Sequence, residues 1–282
     1  MSGLYEALKQ AEMEQRGSGA AMPESANPAE LFSTAMVGSV DLKAGGSVES
    51  QVVPTSRLVA VTEPRSIGAE KFRVLAARLE NLRKQRELRS IQVTSSVEHE
   101  GKSLIAGNLA ITFSQFPSSK VLLVEGDLHR PKLASLLGLK PLPGVGAWWS
   151  GQDDDVVPFL HKLSDMPLWF LGAGQPCDQP SNILQSSRFA QAFTKMAGTF
   201  DWIIVDSVPM QPTVDANLWS RLVDGTLLVV RESLAPIKAL KKGLESLDNL
   251  KLVGIVLNEA SEFAHGNYNR SYDIRRPEKK RL

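Results

Sequence analysis

From Arg57 onward, short runs of continuously apolar and β-branched residues alternate with stretches of helical period. The runs are "LVAV" at 58–61, "IQVTS" at 91–95, "VLLVEG" at 121–126, "LWFL" at 168–171, "WIIVD" at 202–206, "TLLVV" at 226–230 and "LVGIVL" at 252–257. Because they do not alternate with polar residues, they predict strands covered on both faces, as in a parallel sheet. Helical stretches fall at 69–84, 102–116, 181–197 and 236–249. This succession predicts an α/β fold, a doubly wound and mostly parallel sheet between two helical layers, with ligands bound beyond the C-terminal strand ends. On the helix at 69–84, Phe72, Leu75, Leu79 and Leu82 make one stripe, and Glu70 and Arg73 lie off it.

The flanks read differently. Residues 1–16 form a short amphipathic helix with Leu4 and Leu8, too brief to be stable alone. Residues 17–56 are rich in Gly, Ser, Ala and Pro and read as a flexible linker. The domain is expected over 57–262. Residues 263–282 read as a polar, basic tail that carries two of the three tyrosines, Tyr268 and Tyr272. Composition narrows the function. A net charge of +1 on 282 residues argues against bulk electrostatic binding of nucleic acid. A single cysteine, Cys177, excludes an internal disulfide framework. No apolar run approaches the ~20 residues needed to span a bilayer, and no basic leader with an apolar block opens the chain. The expectation is a cytoplasmic protein that reaches a membrane only through a partner.

Chemistry enters at "IQVTSSVEHEGKSLIAGNLA", residues 91–110, a strand, a loop and a helix start. Gly101, Lys102 and Ser103 match the end of a phosphate-binding loop, and Ser96 stands where such loops usually carry the first Gly. In such a loop the backbone N–H groups and the helix N-terminus face phosphates. Lys102 would reach the β- and γ-phosphates and Ser103 would offer its hydroxyl to Mg²⁺. The candidate nucleotide-binding set is Ser96, Glu100, Gly101, Lys102, Ser103 and Leu104. If the backbone at His99 takes a positive φ, a residue with a Cβ costs roughly 1 kcal/mol there; the plainer reading is an exposed loop residue. Glu125 and Asp127 follow the next strand, and Asp206 ends "WIIVD". Carboxylates at these strand ends suit Mg²⁺ coordination and removal of a hydroxyl proton, although Glu125 and Asp127 could equally form a polar turn before Pro131.

Taken together, these segments resemble the bacterial tyrosine autokinases of exopolysaccharide and capsule export. "TSSVEHEGKS" is similar to the family's Walker A, "LLVEGDLH" to its Walker A′, and "IIVDSVP" to its Walker B. "EPRSIGAEKFRVL" resembles the segment that joins subunits in a ring, "LGAG…PSNILQSSRF" a segment between the A′ and B motifs, and "VDGTLLVVR" and "GIVLNEA" the later strands. The resemblance spans about residues 57–260. It implies a P-loop NTPase fold and an ATP- and Mg²⁺-dependent tyrosine kinase. Lys102, Glu125 and Asp127 would be catalytic, Ser103, Asp127 and Asp206 would hold the metal, and Asn258 would lie near the adenine. Glu70 and Arg73 would touch the next subunit of a homo-oligomer. Tyr268 and Tyr272 would accept phosphate in trans, and a membrane-embedded co-polymerase or activator would be the partner. Departures are Glu125 for the motif's first Asp, His129 for its Arg, Val208 for a Pro, and Ala76 for the last Arg of E-x-x-R-x-x-R. They keep open a second reading, a nucleotide-binding switch with weak phosphotransfer. A ParA/MinD-like positioning ATPase ranks lowest, because Val97 stands where that group carries a signature Lys.

Overall fold

The computed structural model describes residues 40–260 except 54, 152–153, 165, 212–213, 233, 235–236 and 247–250. The expected N-terminal helix at 1–16 and the tail with Tyr268 and Tyr272 lie outside the described residues. Among the described residues, eight strands form one sheet: β1 (Gly46–Val48), β2 (Ser90–Ser95), β3 (Val121–Glu125), β4 (His161–Leu163), β5 (Leu168–Leu171), β6 (Trp202–Asp206), β7 (Gly225–Arg231) and β8 (Leu252–Asn258). Their order is β1-β4-β5-β3-β6-β2-β7-β8, and every pairing is parallel except β4 with β5.

The apolar runs do what a doubly covered sheet requires. Side chains alternate between faces along a strand. Ile91, Val93, Val121, Leu123, Trp202 and Ile204 therefore join one core, and Leu122, Val124, Ile203 and Val205 join the other. The first core is closed by two helices, α2 (Ile67–Arg83), with Ala76 and Leu79, and α3 (Lys102–Ser114), with Leu109 and Phe113. Opposite lie α7 (Ser187–Ala197), with Phe189 and Phe193, and α8 (Asp215–Leu222), with Trp219. Between them in sequence run three short helices, α4 (Leu133–Leu136), α5 (Val145–Ser150) and α6 (Pro180–Leu184), and α9 (Ile237–Ser246) follows β7. Helix α2 begins where the Ser66 hydroxyl accepts from the Ala69 N–H at 3.1 Å.

Three expectations need correction. "LVAV" at 58–61 is not a strand: a one-turn helix, α1 (Val59–Thr62), forms there. The Ala60 N–H bonds Asn108 Oδ1 of α3 at 3.0 Å, so a side chain and not a neighbouring strand satisfies this backbone. The stretch read as linker contains β1, which pairs with β4 at the sheet edge. "GSV" has no apolar run to announce a strand, and its partner supplies the pairing. The helix expected at 181–197 is two helices, because the Ser186 hydroxyl accepts from the Phe189 N–H at 3.1 Å and starts a new one.

Candidate nucleotide site

The C-terminal ends of β2, β3 and β6 converge. β6 lies between β2 and β3, with Val93 and Glu125 both in register with Asp206. The loop 96–101 leaves β2 and turns into α3, whose N-cap is Gly101 at φ 96°. That left-handed backbone favours glycine, and a Cβ there would press on the Asn258 side-chain amide. His99 takes φ 66°, the left-handed conformation that its sequence position left open, and its side chain is exposed. Lys102, Ser103 and Leu104 open α3 and are half-buried. Ser96 is fully buried, and its hydroxyl makes no hydrogen bond.

Asp206 ends β6 with almost no exposed surface, and its Oδ1 makes no hydrogen bond. Burial pushes its carboxyl up from 3.8 to about 6, against the pull of the Lys102 ammonium and a hydrogen bond from Ser103. Asp127 adds repulsion, and Lys132 opposes it. Glu125 is displaced in the same direction, first by burial and then by the nearby Asp206. Its Oε2 accepts from the Lys132 N–H at 2.9 Å and the Leu133 N–H at 2.5 Å, and its Oε1 makes no hydrogen bond. The extra methylene of Glu relative to Asp thus ties β3 to the start of α4. Asp127 is half-buried, and its Oδ1 accepts the Arg130 N–H at 2.9 Å.

Gly126 lets β3 end close to β6. A Cβ there would lie 2.7 Å from Val205 Cγ1 and 2.8 Å from the Asp206 carbonyl. The Gly126 N–H donates to that carbonyl at 2.8 Å, and Trp219 Nε1 donates to the Gly126 carbonyl at 3.1 Å. Beyond it, His129 pairs with the buried Asp215 at 3.1 Å, and Ser181 donates to the same carboxylate at 2.6 Å. Arg130 pairs with Glu98 at 3.4 Å, linking this loop to the phosphate loop. Asp215 and Ser181 are site-supporting residues that sequence reading missed. They meet from distant segments, and no local pattern announces the contact.

The remaining candidates fall elsewhere. Asn258, at the end of β8, donates to the Glu100 carbonyl at 2.9 Å and so sits over the loop. Glu100 turns its carboxylate inward onto the Val97 and Arg231 amides. Glu70 and Arg73 pair with each other at 2.6 Å on the exposed side of α2, away from the nucleotide site. Among the described residues, no group of three His, Cys, Asp or Glu is placed to hold a metal alone. None of the described helices is long and apolar enough to cross a membrane.

A glycine-terminated loop capping a helix, beside buried carboxylates at adjacent strand ends, defines the P-loop class of nucleotide-binding domains. Within it, the chain is similar to proteins named as bacterial tyrosine-protein kinases. It is 26% identical over 213 residues to the tyrosine-protein kinase YwqD of Bacillus subtilis, covering 75% of this chain and 89% of YwqD. It is 30% identical over 228 residues to the succinoglycan biosynthesis transport protein ExoP of Rhizobium meliloti, covering 77% of this chain but 28% of ExoP. The chimerical protein CapA2B2 superposes with a TM-score of 0.65 at 27% identity, over 75% of this chain and 92% of that one. No family model matches the chain.

Proposed function

We propose that the chain is an ATP-dependent protein-tyrosine kinase of exopolysaccharide or capsule biosynthesis. The observation that carries this reading is the meeting of Lys102, Ser103 and the buried Asp206 beyond the C-terminal ends of the central strands β2 and β6. The relatives named as tyrosine kinases support it. The residues suit a magnesium nucleotide. The Lys102 ammonium and the loop amides would hold the β- and γ-phosphates. Ser103, Asp206 and Asp127 would hold Mg²⁺. Bound there, Mg²⁺ would neutralise charge on the bridging phosphates. The tyrosine oxygen attacks the γ-phosphorus, the bond to the β-phosphate oxygen breaks, and ADP leaves with the bonding pair. Glu125 or Asp127 takes the tyrosine proton; each gives one oxygen to backbone amides, Glu125 to Lys132 and Leu133 and Asp127 to Arg130.

The phosphoacceptors are Tyr268 and Tyr272, reached from a neighbouring subunit through contacts that include Glu70 and Arg73. A membrane-embedded co-polymerase or activator is the partner that brings the chain to the membrane. One observation favours the second reading, a nucleotide switch with weak transfer: the same commitment of Glu125, together with His99 in a left-handed conformation.

Incubating the purified chain with ATP and Mg²⁺ and mapping phosphotyrosine separates the two. The kinase reading expects label on Tyr268 or Tyr272. Nucleotide binding with no label on any tyrosine leaves the switch.

A further inference from the structure

Glu100 has no exposed surface, and its carboxylate pairs with backbone instead of a cation. Oε2 accepts the Val97 N–H at 2.9 Å and Oε1 accepts the Arg231 N–H at 3.2 Å. Its carbonyl accepts from Asn258 at 2.9 Å. The side chain therefore closes a small ring around residues 98 and 99 and ties that ring to the ends of β7 and β8.

Inside the ring sits His99, left-handed at φ 66°. Its carbonyl accepts from the Arg231 guanidinium at 3.5 Å. That guanidinium is held by Glu259, which also pairs with Arg57 at 2.8 Å. A residue with a Cβ leaves the left-handed region unless its surroundings over-determine it. Here the surroundings do so through one buried carboxylate and one arginine. An anion so near a phosphate site would repel the ligand if its oxygens faced it; both are instead given to amides of the protein.

We propose that Glu100 is a positioning residue: an internal anion that, braced by Arg231, keeps the phosphate loop in its open shape despite His99, without itself touching the nucleotide. The proposal rests on the loop being the nucleotide site. It predicts a coupling, since Glu100 is needed only while His99 strains the loop.

Glu100→Gln offers one acceptor and one NH₂ donor to two backbone N–H donors, so one bond must be lost. In the nucleotide-free protein, the Val97 and Arg231 amides should exchange about tenfold faster, and the Kd for Mg-ATP should rise about tenfold. Adding His99→Gly should return both exchange and Kd to within about threefold of the parent.

Three results would overturn the proposal: unchanged amide exchange in Glu100→Gln, tighter ATP binding by Glu100→Gln, or no rescue by His99→Gly. If the parent binds no nucleotide, the functional reading falls, yet the exchange rates still decide the role of Glu100. Should Glu100→Gln fail to fold, Arg231→Ala keeps the backbone N–H at that position and removes the guanidinium with its stem. It should speed exchange of the Val97 amide in the ring, again rescued by His99→Gly; absence of that rescue contradicts the brace.

Discussion

Replacing Asp206 by Asn should abolish phosphotransfer and at the same time make the nucleotide-free protein more stable. The Asp206 carboxyl sits at about 6 in the folded chain against an ordinary 3.8. At about 1.4 kcal/mol per pH unit, its ionised form costs on the order of 3 kcal/mol at pH 7. The folded value is the raised one, so the stabilising proton is fully bound below about 4 and lost as pH rises through about 6. The parent should therefore gain stability on acidification from pH 7 toward pH 4, with Glu125 acting in the same direction. The asparagine amide needs no proton, so Asp206→Asn should remove the Asp206 part of that slope. Urea unfolding with an unchanged m-value would show a gain of about 2–3 kcal/mol at pH 7. The rate of tyrosine labelling should fall by at least 10²–10³-fold, the loss typical of removing one preorganised charge partner. A variant that is less stable and still active would refute the assignment.

Lys102→Met should lower autophosphorylation by on the order of 10³-fold, as expected when a cation that stabilises developing phosphate charge is removed. Met keeps an apolar, unbranched stem on the first turn of α3, so packing is preserved while the charge is lost. A second readout ties the effect to this site. Lys102 is the strongest influence holding the Asp206 carboxyl down. Without it that carboxyl moves further up, and the acid-side gain in stability should begin at a higher pH than in the parent. Time courses of phosphotyrosine, paired with unfolding curves from pH 4 to pH 8, test both. Undiminished labelling would remove Lys102 from the mechanism.

Much of this was legible in the sequence, for identifiable reasons. The stretches 121–124, 202–205 and 227–230 are apolar at every second and every intervening position, because both sheet faces are covered, while 91–95 places Gln92 and Thr94 among the buried positions. That pattern survives without any alignment. The loop at 96–103 and the acids at 125, 127 and 206 could be placed at strand ends by counting from those runs. β1 and β4 could not, since strands of three residues exist by pairing and not by pattern. "LVAV" misled because β propensity yields to tertiary partners, here Asn108. The inward turn of Glu100 and the Asp215 contacts with His129 and Ser181 bring together residues from distant segments, which periodicity does not record.

The central claim is that the turn before Lys102 cradles nucleotide phosphate against the buried acids of β3 and β6. Isothermal calorimetry of the full chain with ATP, with and without Mg²⁺, tests it most directly. The account predicts magnesium-dependent binding in the micromolar range that disappears in Lys102→Met. No heat and no thermal shift at millimolar ATP with Mg²⁺ would contradict it.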